Sequence, residues 1–222
     1  MSKGDISRET NGTEARLSRA SVGRLSLYLR RLDELLRDGS LKVSSSQLGE
    51  ALGLTDAQVR KDLAYLGHLG QPGIGYPTRE LMTAIRHTLG VDREWKAVLV
   101  GVGNLARALL RYRGFQQQGF RIVALFDSDP AKVGQRIDGL TVQARDELPT
   151  VIAAAGAELG LLTVPAEAAQ SVADILVGAG IRGILNFAPT VLRVPPGVSL
   201  VSVDLTVQLE QLAFLVQLGG DT

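Results

Sequence analysis

The sequence has 222 residues, of which 45% are hydrophobic and 21% charged, and its net charge is +1. This length suits two domains, and so small a net charge gives no indication for or against a nucleic-acid partner. Cysteine is absent, which excludes disulfides, thiolate zinc sites and cysteine nucleophiles and fits a cytoplasmic location. No apolar run is long enough to cross a bilayer, and residues 1–17 are predicted to form a polar, flexible tail rather than a secretory signal.

A first helix is predicted at residues 21–38, ending at Gly39. Its apolar side chains recur at helical spacing and should form one buried stripe. They are Val22, Leu25, Leu29, Leu32 and Leu36. A cluster of arginines in and just before this helix either contacts phosphates or forms a solvated face. These are Arg16, Arg19, Arg24, Arg30 and Arg31.

Two shorter helices follow, joined by a turn that contains a glycine. Ser44 and Gln47 have the spacing of a capping box for a helix at 45–53. Thr55 and Gln58 have the same spacing at the start of a helix at 56–66. Two short helices connected in this way have the helix-turn-helix pattern.

The outward face of the helix at 56–66 suits the major groove of DNA. Helical phasing places Val59, Leu63 and Leu66 inside, and Asp62 lies at the margin, where we expect it to pair within the protein. Arginine, lysine and glutamine side chains donate hydrogen bonds to base edges. The outward and flanking residues are Gln58, Arg60, Lys61, Ala64 and Tyr65.

The second half alternates apolar runs with helix-length segments. This alternation predicts an α/β fold with a mostly parallel, doubly wound sheet. The predicted strands are 96–103, 121–127, 159–164, 181–187 and 198–204, and the predicted helices are 104–113, 146–155 and 166–178. A last helix at 205–218 has more apolar surface than a terminal helix needs, and it either docks on the chain's own sheet or is buried against a second subunit.

A glycine motif between the first of these strands and the following helix predicts a dinucleotide site. Gly101 permits a tight turn, Gly103 lets the backbone approach a pyrophosphate, and Ala106 permits close packing of helix on strand. The start of the helix would bind the phosphates. Asp127 ends the next strand, where a carboxylate accepts both ribose hydroxyls and repels a 2′-phosphate, so NAD(H) is favoured over NADP(H). The alternative is a glycine turn without a ligand.

The same half offers no acid–base pair for hydride transfer. It has no histidine or cysteine and a single tyrosine, Tyr112. Binding without turnover is therefore the simpler interpretation, so we predict that the protein is not an enzyme, and we predict no metal site. An NAD-dependent oxidoreductase with a helical appendage is the alternative, and a regulator that binds another adenosine ligand, such as coenzyme A, is a third possibility.

Taken together, the two halves resemble the Rex family of bacterial redox-sensing transcriptional repressors, over about residues 18–218. The motifs that carry the resemblance occur in order along the chain. They are RLSLYLRRL (24–32), SSSQLGEALGLTDAQVRKDLAYLG (44–67), GIGY (73–76), VGVGNLARAL (100–109), FDSDPAKVG (126–134), LLTVPAEAAQSVAD (161–174), GIRGILNFAP (180–189) and SVDL (202–205).

The resemblance implies a homodimer whose chains each have a winged-helix DNA-binding domain at 18–90 and a Rossmann domain at 95–204. The C-terminal helix, 205–222, would be exchanged between the two chains. Such a dimer binds a palindromic operator and is released by NADH, whereas NAD+ competes with NADH and leaves DNA binding intact or improves it. It therefore reports the cellular NADH/NAD+ ratio.

Site residues follow from the motifs position by position. The DNA-binding residues would be Gln58, Arg60, Lys61 and Tyr65 of the helix and Gly73, Gly75 and Tyr76 of the wing. The adenosine and pyrophosphate would be held by Gly101, Val102, Gly103, Asn104, Leu105, Ala106 and Asp127, and the nicotinamide side by Tyr112, Thr163, Val164, Pro165, Asp204 and Leu205. Arg30 would pair with Asp204 in the released state.

Two positions depart from the family pattern. Gln71 and Pro72 stand where the wing usually carries a basic residue, so a minor-groove cation is missing. Leu205 stands where some members have an aromatic residue, which removes a stacking partner for the nicotinamide.

Overall fold

A computed structural model describes residues 17–67, 69–70 and 74–220, with side chains up to 218. The chain divides into two units, Met1–Asp92 and Arg93–Thr222, each of which is described by itself. Gly73 and the pair Gln71–Pro72 lie outside the described residues, as does all but the last residue of the predicted tail.

The first unit is built from helices and one short antiparallel ribbon. Its helices are α1 (Arg19–Arg37), α2 (Ser45–Leu52), α3 (Asp56–Leu63) and α4 (Thr78–Thr88), with a 3-10 turn at Ala64–Leu66. The ribbon pairs β1 (Lys42–Val43) with β2 (Tyr76–Pro77). The α2–turn–α3 segment confirms the predicted helix-turn-helix, although the α-helix predicted to reach residue 66 ends at Leu63.

The caps around the turn form largely as their spacing predicts. Ser44 accepts a hydrogen bond from the backbone N–H of Gln47, whose side chain accepts one from the N–H of Ser44. Thr55 accepts from the N–H of Gln58 at 3.2 Å, but the Gln58 side chain does not return to Thr55. Its amide donates instead to Asp62, which was not expected.

The core of the first unit lies between α1, α3 and α4. Leu25, Leu29 and Leu32 are buried as predicted, whereas Val22 is 39% exposed, so its assignment to the buried stripe was wrong. Tyr28, not predicted in the core, is fully buried. The core is completed by Val43, Leu48, Val59, Leu63, Leu81 and Ile85.

The second unit contains a seven-stranded sheet in the order β5-β6-β4-β3-β7-β8-β9. All neighbours in the sheet are parallel except β5 and β6. The strands are β3 (Trp95–Val100), β4 (Phe120–Asp127), β5 (Arg136–Ile137), β6 (Leu140–Ala144), β7 (Leu159–Leu162), β8 (Gly183–Asn186) and β9 (Ser199–Ser202). The prediction of a mostly parallel α/β fold is confirmed.

Both faces of this sheet are covered, which explains why its strands are apolar without alternation. On one face Val98, Val100 and Phe126 pack with residues of α7 and α8, and on the other Ala97 and Leu99 pack with α5. The helices are α5 (Asn104–Arg111), α6 (Gly114–Gln117), α7 (Leu148–Ala155) and α8 (Ala166–Gly178). The second unit is therefore doubly wound.

The last helix, α9 (Leu205–Gly220), differs from the others because its apolar side chains are exposed. Eight of them are exposed by 41–68%: Leu205, Val207, Leu209, Leu212, Phe214, Leu215, Val216 and Leu218. Docking on the chain's own sheet, one of the two predicted alternatives, is thus not what the structure shows. Within the described part of the chain, no helix has both the length and the apolar character needed to span a membrane.

Candidate nucleotide site and DNA-reading surface

The carboxyl ends of β3 and β7 meet where the strand order of the sheet reverses. Such switch points are where open α/β sheets bind their ligands. Gly101, directly after β3, has φ +94°, and a Cβ placed on it would lie 2.7 Å from the carbonyl oxygen of Thr163, directly after β7. Gly101 is therefore required both by its backbone conformation and by the close approach of the second loop.

Gly103 is the N-cap of α5 and has an ordinary φ of −95°. A Cβ on Gly103 would meet no heavy atom within 4 Å, and no side chain caps this helix. The first N–H groups of α5 thus have no capping side chain, and the space beside the Cα of Gly103 is not filled by the described residues. A helix start of this kind fits a phosphate group.

The rest of the glycine motif separates into buried and exposed residues. Val102 and Ala106 are buried, at 1% and 0% exposure, and hold α5 against the sheet. Asn104 and Leu105 are exposed beside the open helix start. Only the exposed pair is free to touch a ligand with side chains.

Asp127 is buried at the end of β4 and accepts three hydrogen bonds. Its Oδ2 accepts from the backbone N–H of Val102 at 2.7 Å and from Lys132 Nζ at 3.0 Å, and its Oδ1 accepts from the N–H of Asp129 at 2.9 Å. Burial by itself would raise the pKa of Asp127, but these hydrogen bonds hold the pKa below its ordinary value, so the carboxyl is ionised.

These contacts narrow the role predicted for Asp127. A carboxylate has about four acceptor positions. With Val102, Asp129 and Lys132 in place, one position remains, on Oδ1, so a ribose that bonds through both hydroxyls, as predicted, would have to displace one of these donors. Asp127 also holds the glycine loop in place through its hydrogen bond from Val102. The spacing of the motif reveals neither this second role nor the hydrogen bond from Lys132.

Thr163, Val164 and Pro165 connect β7 to α8 on the other side of the switch point. The Thr163 hydroxyl donates to the carbonyl oxygen of Gly101, at 2.7 Å. The Val164 side chain would lie 2.8 Å from a Cβ on Gly101 and packs against the core, and Pro165 is the exposed N-cap of α8. The structure thus brings Gly101, Thr163 and Val164 together.

Tyr112, Asp204 and Leu205 lie away from the glycine loop. Tyr112 is at the C-terminal end of α5, about 12 Å along the helix axis, with its ring edge-on to Phe115 at 5.2 Å. Asp204 follows β9, three strands from β3 and so roughly 14 Å away, and it caps α9 by accepting from the N–H of Thr206 at 2.9 Å. Leu205 is 68% exposed.

The predicted DNA-reading residues of α3 and the following 3-10 turn differ in how free they are. Lys61 and Tyr65 are exposed, and Lys61 forms no ion pair within the described part of the chain. Arg60 is exposed but bonded to Asp56 at 2.6 Å. Gln58 is half-buried on Asp62, so its amide must leave that carboxylate before it reaches a base.

Gly75 and Tyr76 shape the ribbon expected to serve as a wing. Gly75 has φ +82°, and a Cβ on it would lie 2.5 Å from the carbonyl oxygen of Val43. The Tyr76 ring is packed where a Cβ of Gly70 would come within 2.6 Å of it. Gly75 therefore permits the close approach of the chain to β1, and Tyr76 packs against the segment at Gly70, whether or not these residues also touch DNA.

Two family models match the chain. One, described as a CoA binding domain, matches residues 92–190, and the other, described as the N-terminus of a DNA-binding protein, matches residues 16–64. A redox-sensing transcriptional repressor Rex of Rhodopirellula baltica is 50% identical, over 91% of this chain and 86% of its own length. The chain belongs to the Rex family. A Rex from Carboxydothermus hydrogenoformans is 48% identical, over 91% of this chain and 97% of its own length.

Solved structures of Rex-family proteins match along the whole fold. The Rex-family repressor RSP in complex with NAD+ and operator DNA has a TM-score of 0.86 and 35% identity, over 93% of this chain and 99% of its own. RSP in complex with NADH has a TM-score of 0.82 and 34% identity, over 92% and 96%. The Rex fold therefore extends through both units described above.

Proposed function

We propose that the protein is a transcriptional repressor that binds a palindromic operator as a dimer and is released by NADH. The observation that carries this proposal is the presence in one chain of an exposed, basic helix face on α3 and an open glycine loop at the switch point of the sheet. RSP, with the same fold, has been solved both with NADH and with NAD+ on operator DNA, which supports a response to the NADH/NAD+ ratio.

In this proposal the dinucleotide lies across the carboxyl ends of the strands. Its pyrophosphate lies at Gly103 and the start of α5, its adenosine ribose at Asp127, and its nicotinamide beyond Thr163, Val164 and Pro165. The distance of about 14 Å from β3 to β9 is compatible with an extended dinucleotide that reaches from the glycine loop toward Asp204 and Leu205. Tyr112 would have to turn from Phe115 to join them.

The DNA-reading surface is assigned to α3 and the wing. Lys61 and Arg60 supply cations, and Tyr65 and Gln58 supply further contacts in the major groove. Gly73, Gly75 and Tyr76 would bring the wing close to the backbone of the duplex. Gln71 and Pro72 stand in place of the basic residue that the wing usually carries, and the loss of that cation would weaken the minor-groove contact relative to other family members.

Arg30 and Asp204 are proposed as the link between ligand and DNA. Arg30 is exposed on α1 in the first unit, and Asp204 caps α9 in the second. An ion pair formed in only one state biases an equilibrium between two states by its own free energy. A pair between these two residues would therefore tie NADH binding to release of the operator.

Dimerisation is proposed through α9. Eight exposed apolar side chains on one helix form a larger apolar patch than monomeric proteins usually leave in contact with water. Exchange of residues 205–222 with a second copy would cover these side chains. Domain limits of 18–90 and 95–204, and a cytoplasmic location where a repressor meets its operator, belong to the same proposal.

The test is anisotropy of a fluorescent palindromic duplex, selected by the wild-type protein from a randomised pool. We expect NADH to dissociate the protein from the duplex and NAD+ to leave the protein–DNA complex intact. Reciprocity requires the duplex to weaken NADH binding by the same factor. Release by NAD+ with no effect of NADH would contradict the proposal.

The other two functions are separable by simple assays. Relatives at 48–50% identity are named as repressors, which argues against an oxidoreductase, and steady NADH consumption with a small carbonyl compound would be needed to support one. Coenzyme A is favoured only by the description of the matched family model. Displacement of bound NADH by coenzyme A at comparable concentration would support that ligand.

A further inference from the structure

Asp62 of α3 is a buried carboxylate, 1% exposed, that joins α3 to α1. Its Oδ2 accepts from Arg24 Nε at 2.6 Å and from the Tyr28 hydroxyl at 2.8 Å, and its Oδ1 accepts from Arg24 Nη2 at 2.7 Å and from Gln58 Nε2 at 3.1 Å. All four acceptor positions of the carboxylate are therefore filled. Three of the four donors come from α1, and Asp62 directly follows Arg60 and Lys61.

The protonation states in this cluster are well defined. Burial would raise the pKa of Asp62, but hydrogen bonds from Arg24 and Tyr28 lower it below the ordinary value, so the carboxyl is ionised. Burial and the hydrogen bond to Asp62 raise the pKa of Tyr28, so its hydroxyl stays a donor. The planar guanidinium meets the carboxylate through two parallel bonds, which fix the angle between the groups as well as their distance.

The cluster constrains a motion that the apolar contacts of α3 leave free. Val59 and Leu63 hold α3 in the core through contacts that have no preferred direction. A roll of α3 by about 15° would keep those contacts but move a side-chain end by roughly 1.5 Å, given a helix radius of about 5–6 Å with side chains. A shift of that size breaks a hydrogen bond to a base edge.

We propose that Arg24, Tyr28 and Asp62 are positioning residues that fix the roll of α3 on α1 and thereby set how strongly the protein discriminates its operator from unrelated DNA. The proposal rests on the proposed function of α3 as the DNA-reading helix. In this arrangement the three groups are occupied with one another and act on DNA only through the geometry of α3.

Discrimination is the property that separates positioning from simple stability. Long cationic side chains reach phosphates from a range of helix orientations, so binding to unrelated DNA tolerates a roll of α3. Base-edge contacts do not tolerate it. Loss of folded protein would reduce binding to every duplex by one factor, whereas loss of positioning lowers binding to the operator alone.

The experiment compares affinities of the full chain for the selected operator and for a duplex of the same composition with scrambled half-sites. In Tyr28→Phe, which keeps the ring and removes one donor, we expect the operator-to-scrambled ratio to fall roughly five- to tenfold, the effect of about one lost base contact. Binding to the scrambled duplex should stay within about twofold of wild type. Asp62→Asn, which removes the charge and keeps the shape, should lower the ratio further.

Glu34→Gln is the matched control, because Glu34 is an exposed acid of α1 that pairs with Arg31 outside this cluster. Its ratio should equal that of the wild type. An unchanged ratio in both Tyr28→Phe and Asp62→Asn, with folded content verified by circular dichroism, overturns the positioning role, and so does an equal loss of binding to both duplexes. Failure of the wild type to discriminate at all would overturn the proposed function itself.

Discussion

Gly101 and Gly103 are two residues apart, but the reason for glycine differs between the two positions. Alanine at Gly101 would force a side chain into a backbone conformation with φ +94° and place its Cβ 2.7 Å from the Thr163 carbonyl. Alanine at Gly103 would meet no protein atom within 4 Å and keep an ordinary φ. The first glycine is therefore needed by the protein, and the second is available to a ligand.

This contrast gives a prediction. Gly101→Ala should lower the thermal unfolding midpoint, since strain at such a position costs on the order of 1–3 kcal/mol. Gly103→Ala should leave the midpoint near that of the wild type but weaken NADH binding by roughly tenfold, because a methyl group would overpack the bound pyrophosphate. Calorimetry and NADH fluorescence titration measure the two effects. Unchanged NADH affinity in Gly103→Ala would show that no ligand approaches the backbone there.

Asp127 is a poorer position than Gly103 for a substitution that tests ligand binding. Its carboxylate accepts from the Val102 N–H, so its removal disturbs the glycine loop as well as any ribose contact. A weaker ligand affinity in a variant at Asp127 would thus have two causes. Spacing alone predicts that an acid belongs at this position, but only the folded chain shows that Lys132 and Asp129 share it.

At the scale of elements, the α1–α3 contact should be sensitive to acid. The folded-state pKa of Asp62 lies below its ordinary value of about 3.9. The ion pair therefore contributes full stability above that ordinary value and loses the contribution as the pH falls through the folded-state pKa. The advantage in unfolding midpoint of the wild type over Asp62→Asn should be largest near neutral pH and shrink below about pH 4.

Thermal unfolding followed by circular dichroism between pH 7 and pH 3 measures this difference. Other carboxylates with lowered pKa, such as Asp127 and Glu158, are the same in both proteins and cancel in the comparison. If the difference in unfolding midpoint between the two proteins stays constant over this pH range, the partners of Asp62 do not keep its carboxyl ionised.

Elements with a clear apolar pattern or a clear cap were predicted, and several elements without one were missed. Five of the six strands with parallel neighbours, and the covering helices α5, α7 and α8, follow from their composition, whereas the sixth strand, β6, was not predicted. The β5–β6 hairpin was missed because β5 has only two residues, although Asp138 and Gly139, both with positive φ, form the two-residue turn such a hairpin prefers. Helix α4 was also missed, since its apolar pair Leu81 and Ile85 follows a glycine-rich segment.

At the scale of the whole molecule, α9 is the proposed dimer interface. Burial of a leucine side chain contributes about 1.5–3 kcal/mol, so replacement of Leu209 and Leu212 by glutamate should convert a dimer into monomers. The double variant Gln208→Glu and Gln211→Glu is the matched control, because it adds the same two negative charges at exposed polar positions of the helix. Sedimentation velocity measures the outcome. A double variant that sediments as the wild type does would mean that α9 does not form the dimer interface.

The amino-acid sequence by itself determined the division into a helix-turn-helix half and a doubly wound half, the glycine loop with its acid at Asp127, and the family. The division and the glycine loop are properties of periodicity and spacing, which local sequence specifies, and the family follows from the resemblance of the motifs. Only the tertiary structure decided that Gln58 and Arg24 meet on Asp62, that Asp127 carries Lys132, and that α9 is left exposed. Arg24 and Asp62 are 38 residues apart, and the exposed face of α9 is a contact that the rest of the described chain does not make. Gln58 and Lys132 are close in sequence to the acids they meet, but no local pattern encodes which acid finds which donor.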